Sequence, residues 1–135
     1  MEFDALFKGL PLFFAYLALG LVLLFVYCMI YMWVTPHDEL RLIRSGNTAA
    51  VLSLGGAVLG FILPLGMVIA HNAKIGNVVL WGVIAMVVQV LAFFLARAIL
   101  PGMPKAIEDG KISVGACSGL VSLTIGILNA ACQTD

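Results

Sequence analysis

Polar side chains that could do chemistry are scarce in this sequence, and three of them are amides within or beside long apolar stretches: Asn47, Gln89 and Asn129. An amide at membrane depth can hydrogen-bond a neighbouring helix, or it can line a path for a polar solute. Gln89 is the clearest of the three because it lies halfway along its apolar stretch. A contact between helices is the expected role, and a polar path is the alternative.

The second group of polar residues is charged and lies in the segment "TPHDELRLIRSGN". Thr35 can cap a helix, Pro36 suits the first helical position, and Gly46 can adopt the left-handed conformation that ends one. Asn47 is then placed to cap the next long helix. The segment predicts a short helix at the membrane surface, with Leu40 and Ile43 against the membrane. Its water-facing residues form a candidate surface for binding anionic lipid or a cytoplasmic partner: Asp38, Glu39, Arg41 and Arg44.

The sequence shows no pattern that is typical of an enzyme. It has no Ser/His/Asp set at one depth, no paired carboxylates in an apolar stretch and no glycine-rich phosphate loop. Cys28, Cys117 and Cys132 lack metal-binding spacing, so we interpret them as packing residues, with a redox role as the alternative. We expect no enzymatic activity, no cofactor and no metal site, and the net charge of zero does not favour nucleic acid as a partner.

The elements that position these residues follow from composition. Of the 135 residues, 63% are hydrophobic and 10% are charged, a balance outside the range of soluble domains. Four apolar runs are long enough for a helix to cross about 30 Å of hydrocarbon: Leu10–Val34, Thr48–Ala70, Val78–Leu100 and Ile112–Cys132. The sequence therefore predicts an all-α membrane protein with four transmembrane helices.

The positions of the cations predict the orientation of these helices. Arg41, Arg44, Arg97, Lys105 and Lys111 lie in or beside the first and third connections, whereas only Lys8 and Lys74 lie on the other side. Cytoplasmic loops carry an excess of lysine and arginine. We therefore expect these two connections in the cytoplasm and both termini outside.

Small residues repeat along the sequence. A shift of 66 positions places Ala49, Ser53, Gly56 and Gly60 over Gly115, Gly119, Ser122 and Gly126. The spacing of four, three and four keeps each set on one helical face. It predicts a duplicated two-helix hairpin, residues 1–72 and 73–135, as a parallel repeat about an axis along the membrane normal.

These small residues have a physical role in a bilayer. Helices in lipid gain little from the hydrophobic effect, so their association depends on backbones that approach closely. We expect the two small-residue faces to pack on each other within one chain; an oligomer interface and a ligand groove are the alternatives.

Three stretches of the sequence carry a resemblance to a known family: "TPHDELRLIRSGNTAAVLSLGGAVLGFILPL", "WGVIAMVVQVLAFFLARAILP" and "SLTIGILNAACQTD". The chain resembles, over nearly its whole length, the YjfL-like bacterial inner-membrane proteins of the domain-of-unknown-function 350 (DUF350) family. The most specific positions are Thr35-Pro36, Glu39, Gly46-Asn47, Ala50, Gly55-Gly56, Gly60, Gln89, Gly126 and Asn129-Ala130-Ala131.

The resemblance implies a duplicated two-helix unit in the bacterial inner membrane, without an established activity. Family members are associated with genes for membrane-remodelling proteins similar to phage shock protein A and for ATP-grasp ligases, which implies a role in envelope maintenance or stress response. Two classes of function follow: a scaffold that binds lipid or a cytoplasmic partner, and a small transporter or channel built as a homo-oligomer. A transporter requires Asn47, Gln89 and Asn129 to share one cavity, whereas a scaffold allows them separate helix contacts.

Overall fold

The computed structural model describes the backbone of residues 2–35, 39–71 and 74–133, and the side chains from residue 7 onward within those ranges. The described helices are α1 (Glu2–Val34), α2 (Glu39–Arg44), α3 (Thr48–Ala70), α4 (Ile75–Ile99), α5 (Met103–Glu108) and α6 (Ile112–Cys132). Four of them contain stretches long and apolar enough to cross a membrane: Phe7–Val34, Thr48–Ala70, Ile75–Ile99 and Ile112–Cys132. The prediction of an all-α membrane protein with four spanning helices is confirmed.

The helix boundaries match the predicted runs at α3 and α6, whereas α1 and α4 begin earlier than predicted and α4 ends one residue earlier, at Ile99. Helix α1 begins at Glu2 instead of Leu10, and α4 begins at Ile75 instead of Val78. The predicted boundaries came from the first and last apolar residues of each run. The backbone hydrogen bonds of a helix can continue through polar residues at its ends, which explains the earlier starts.

The connection between α1 and α3 contains the predicted short helix. Gly46 ends the helix at φ 90°, and Asn47 caps α3 by accepting a hydrogen bond of 3.0 Å from the Ala50 amide, both as predicted. Thr35 is buried at the end of α1, where its hydroxyl donates to the Tyr31 carbonyl at 3.0 Å. The amides that a Thr35 cap would bind belong to residues outside the described part of the chain, so the cap stays a prediction. Helix α2 begins at Glu39, and residues 36–38 lie outside the described residues.

Helices α3 and α6 form the closest helix pair, and α4 packs against both. Ala49 meets Gly115 near the start of the pair and Gly60 meets Gly126 further along, so α3 and α6 run parallel. We call the end of the bundle where these two helices begin the α2 end, because α2 and α5 connect the long helices there. We call the opposite end the termini end.

Helix α1 lies at the edge of the bundle. Only 11% of its most apolar stretch is buried, against 39% for α3 and for α4. Among its described side chains, the buried ones lie in the second half of the helix. There the Tyr27 ring stacks on Phe61 with centroids 4.7 Å apart, and the Tyr31 and Phe93 rings form a T-shaped pair with centroids 5.7 Å apart. Aromatic packing therefore attaches α1 to α3 and α4 near the α2 end.

Candidate functional site

The eight small residues predicted to pack all lie in the contact between α3 and α6. A Cβ atom added to any of five glycines in this pair would overlap a backbone atom of the facing helix: Gly56, Gly60, Gly115, Gly119 and Gly126. The Cα hydrogens of these glycines therefore face carbonyl oxygens, namely those of Gly119, Ser122, Ala49, Leu52 and Gly60 respectively. Weak Cα–H···O contacts of this kind recur where helices touch through their backbones.

A line of hydroxyl groups crosses the same contact toward α1. The Ser53 hydroxyl hydrogen-bonds the Ser118 hydroxyl on α6 at 3.2 Å and the Tyr31 hydroxyl on α1 at 3.1 Å. All three residues are buried. Ser53 lies on the predicted small-residue face of α3, whereas Ser118 and Tyr31 were not among the predicted site residues. Ser118 lies 65 positions after Ser53, whereas the repeat shift of 66 pairs Ser53 with Gly119, so the shift gave no signal for Ser118 or for Tyr31.

Glu39 continues this line of polar groups to α2, and its burial contradicts our prediction that it faces water. We expected its carboxylate to face water, but Glu39 is only 1% exposed, and it shares a hydrogen bond with the Tyr31 hydroxyl. A buried carboxylate is tolerated only where donors compensate for its lost hydration. Tyr31 supplies one such donor, while the Oε2 atom of Glu39 has no hydrogen-bond partner within the described residues. Glu39 therefore lies inside the bundle at the start of α2 instead of contributing to its surface. In the same helix Leu40 is exposed and Ile43 packs against the core.

The two arginines of α2 are exposed, as expected for a binding surface. Lys105 and Lys111 are also exposed at this end, together with the acidic Glu108 and Asp109. Asp38, the remaining member of the predicted surface, lies outside the described residues. We call Arg41, Arg44, Lys105 and Lys111 the basic surface.

The second short helix is held to the first connection by Asn47. The Asn47 amide nitrogen donates to the carbonyls of Ile107 at 2.7 Å and Glu108 at 3.3 Å, while its oxygen caps α3. Met103 and Ile107 of α5 are fully buried. The amide of Asn47 therefore joins α5 to the start of α3, which fixes the two short helices relative to each other.

The three intramembrane amides do not meet. Asn47 lies at the α2 end, Asn129 lies three residues before the last residue of α6, and Gln89 lies between these depths. Gln89 is 1% exposed and its amide donates to the Ser122 carbonyl at 3.2 Å. Within the described residues, its Oε1 atom and the Nδ2 atom of Asn129 are buried without a hydrogen-bond partner. Asn47 and Gln89 therefore serve separate helix contacts, each at its own depth.

Comparisons with known proteins give a family and two relatives. Residues 5–133 match the family model described as Domain of Unknown Function (DUF350). The chain is 36% identical over 120 residues to the protein named UPF0719 inner membrane protein YjfL of Escherichia coli strain K12, covering 89% of this chain and 91% of the relative. The protein of the same name from Escherichia coli O157:H7 gives the same values. No solved structure matches the chain significantly.

Proposed function

The chain belongs to the DUF350 family of multi-pass inner-membrane proteins, and we propose that within this family it acts as a scaffold that binds a cytoplasmic partner through its basic surface. One observation carries the proposal. Helix α2 is held to the bundle by the buried Glu39 while Arg41 and Arg44 remain exposed. A surface helix fixed in this way presents its charges in a defined geometry, which lowers the entropic cost of binding a partner.

The contacts of the intramembrane amides support a scaffold over a transporter. A transporter or channel needs polar groups that converge on one path. Asn47 instead bonds α5, and Gln89 bonds the backbone of α6. Envelope maintenance or stress response is the process in which we place this scaffold, with a membrane-remodelling protein or a ligase as its partner.

The two halves of the chain, we further propose, are a duplicated hairpin. Ala49 contacts Gly115 and Gly60 contacts Gly126, and each pair is 66 positions apart. The ends of α2 and α5 also share one hydrogen-bond pattern. The Gly46 amide donates to the Ile43 carbonyl and the Gly110 amide donates to the Ile107 carbonyl, each at 3.0 Å, 64 positions apart. Both glycines have positive φ, 90° and 80°. A parallel repeat explains these matches because equivalent residues meet across its axis.

The scaffold requires the α2 end to face the cytoplasm with both termini outside. In a cysteine-free background, we expect Asp135→Cys to react with a membrane-impermeant maleimide in intact cells, and Ser45→Cys to react only after permeabilisation. The five cations near the α2 end favour this orientation. Labelling of Ser45→Cys but not Asp135→Cys in intact cells would reverse the orientation and remove the basic surface from the cytoplasm.

Removing the two α2 arginines tests the function itself. We expect Arg41→Ala combined with Arg44→Ala to reduce the cytoplasmic protein recovered after crosslinking in cells by roughly tenfold. Each of the two arginines can contribute up to about 1 kcal/mol through an exposed ion pair, and a loss of about 1.4 kcal/mol corresponds to a factor of ten. Lys8→Ala combined with Lys74→Ala is the matched control, because it removes the same charge at the termini end. The control should leave recovery unchanged.

The transporter hypothesis predicts the reverse outcome in the same cells. Gln89→Leu would abolish an envelope-stress phenotype that the arginine variant keeps, because a polar path depends on its intramembrane amide. For a scaffold, Gln89→Leu leaves partner recovery at the level of the unmodified protein. Equal recovery from the arginine variant and its lysine control contradicts the proposed scaffold.

A further inference from the structure

A groove lies between α1 and α3 in the half of the bundle nearest the termini end. Its volume is about 750 Å³, and its walls come from α1 between Gly9 and Leu24 and from α3 between Ile62 and Ile69. Every side chain that lines the groove is apolar except that of Tyr16, and the lining also includes Gly9, Gly20 and Gly66. The groove is separate from the basic surface at the α2 end.

The groove exists because the first half of α1 packs less deeply on the bundle than the second half, with Tyr16 only partly buried against the core. Residues 7–22 of α1 include no buried side chain, whereas Leu23, Tyr27 and Tyr31 are buried further along. Glycines widen the space on both walls, since a Cβ atom added at Gly9 or Gly66 would have no neighbour within 4 Å. The gap is therefore open to side chains larger than those present.

The depth of the groove selects an apolar, elongated occupant. The α3 wall covers the last third of that helix, a rise of about 10 Å, which is within one leaflet of a hydrocarbon core about 30 Å thick. A volume of about 750 Å³ is in the range of ligand pockets, roughly 300–1,000 Å³. A phospholipid acyl chain has the polarity and shape that this position requires.

A positive charge, that of Lys8, lies at the mouth of the groove and suits the phosphate of a phospholipid whose acyl chain fills the groove. Lys8 is exposed and precedes Gly9, the lining residue nearest the start of α1. A lysine at this depth can extend its side chain toward the headgroup region, where phosphate groups lie.

A second copy of the chain fits the groove less well. Spanning helices that pack closely meet through small residues four positions apart, as α3 and α6 do in this protein. The α1 wall instead places Leu12, Phe13 and Leu17 between its glycines at 9 and 20, and Leu21 follows Gly20. These long side chains would keep the backbone of another helix at a distance, but flexible methylene chains can fill the irregular spaces between them.

We propose that this groove binds one acyl chain of an anionic phospholipid from the leaflet at the termini end, with its phosphate beside Lys8. The site would hold a lipid through detergent extraction, unlike the annular lipid around the other exposed faces. Its occupancy does not depend on whether the basic surface binds a cytoplasmic protein.

Native mass spectrometry of the full chain in mild detergent tests the proposal, with added palmitoyl-oleoyl phosphatidylglycerol as the probe. We expect the unmodified protein to retain one lipid, and Gly66→Leu to reduce the retained fraction at least tenfold because the new side chain fills the groove. Gly55→Leu is the matched control. Gly55 lies three turns earlier on the same face of α3, has no atom within 4 Å of an added Cβ, and does not line the groove. It should retain the lipid.

Gly9→Leu is a second variant that fills the groove, from the α1 wall, and it should also lose the lipid. It provides the same test if Gly66→Leu does not fold. Retention of lipid by both filled variants would overturn the proposal, as would equal loss in Gly55→Leu. A change from dimer to monomer in Gly66→Leu, with lipid retention unaltered, would assign the groove to a second copy and overturn the lipid site.

Lys8→Ala tests the headgroup assignment. It should abolish the preference for phosphatidylglycerol over phosphatidylcholine, and absence of that preference in the unmodified protein would overturn the headgroup assignment.

Discussion

Gly56→Leu is expected to prevent formation of the α3–α6 pair and to remove most folded protein from detergent extracts. A Cβ atom at this position would overlap the Gly119 backbone, so the new side chain cannot be accommodated by a rotamer change. Overpacking a core costs about 1–3 kcal/mol when side chains can adjust, and separating two backbones costs more. Gly119→Leu should have the same effect from the other helix, because its Cβ would overlap the Leu52 carbonyl.

Gly55→Leu provides the control for Gly56→Leu. It makes the same substitution at the preceding residue of α3, where no atom lies within 4 Å of an added Cβ. The helix propensity of the chain changes equally in both variants, so only the contact with α6 differs. Thermal unfolding monitored by fluorescence-detected size exclusion measures both. If Gly56→Leu and Gly55→Leu unfold at the same temperature, close backbone packing of α3 on α6 does not stabilise the fold.

Tyr31→Phe is the second substitution with a large expected effect, a loss of about 2 kcal/mol in the free energy of unfolding. The Tyr31 hydroxyl bonds Ser53 on α3 and the buried carboxylate of Glu39 on α2. A hydrogen bond to a charged group contributes about 1.5–3 kcal/mol, and one between membrane helices averages about 0.6 kcal/mol. Phenylalanine keeps the ring against Phe93 but leaves Glu39 without this donor.

Tyr27→Phe separates the hydroxyl effect from the ring. Tyr27 lies one turn earlier on α1 and is fully buried, and its hydroxyl has no hydrogen-bond partner within the described residues. Removing that hydroxyl should leave stability unchanged or raise it, because an unsatisfied buried polar group is lost. A double-mutant cycle of Tyr31→Phe with Glu39→Leu, which removes the acceptor, then measures the coupling. Equal destabilisation by both phenylalanine variants, or a coupling energy near zero, would show that Glu39 is held by something other than Tyr31.

Several parts of this protein could be predicted from local patterns because membranes impose strong rules. A helix must satisfy its backbone within the bilayer, so the length of an apolar run locates each span. The limits of α3 and α6 were predicted to the residue, as were the stop at Gly46 and the cap at Asn47. Each of these depends on residues that are close together in the chain.

Glu39 shows where such reasoning fails. A glutamate among arginines in a polar connection is normally solvated, and nothing nearby in the sequence indicates its burial. Its environment depends on Tyr31, which α1 places beside it through packing against α3 and α4. The partnership of Ser53 with Ser118 has the same origin, since it requires two helices to meet in one register.

The sequence by itself determined the four spanning helices, the small-residue faces of α3 and α6 and the positions of the exposed arginines. Apolar length, residue size and charge are properties of single positions or of one helix, and the bilayer acts on them directly. Only the tertiary structure decided which polar groups are buried together and where α1 leaves a groove. Those outcomes depend on the distance between α1 and α3 along their lengths. The stacked ring pair Tyr27–Phe61 holds the two helices together near the α2 end, and the groove lies between them nearer the termini end.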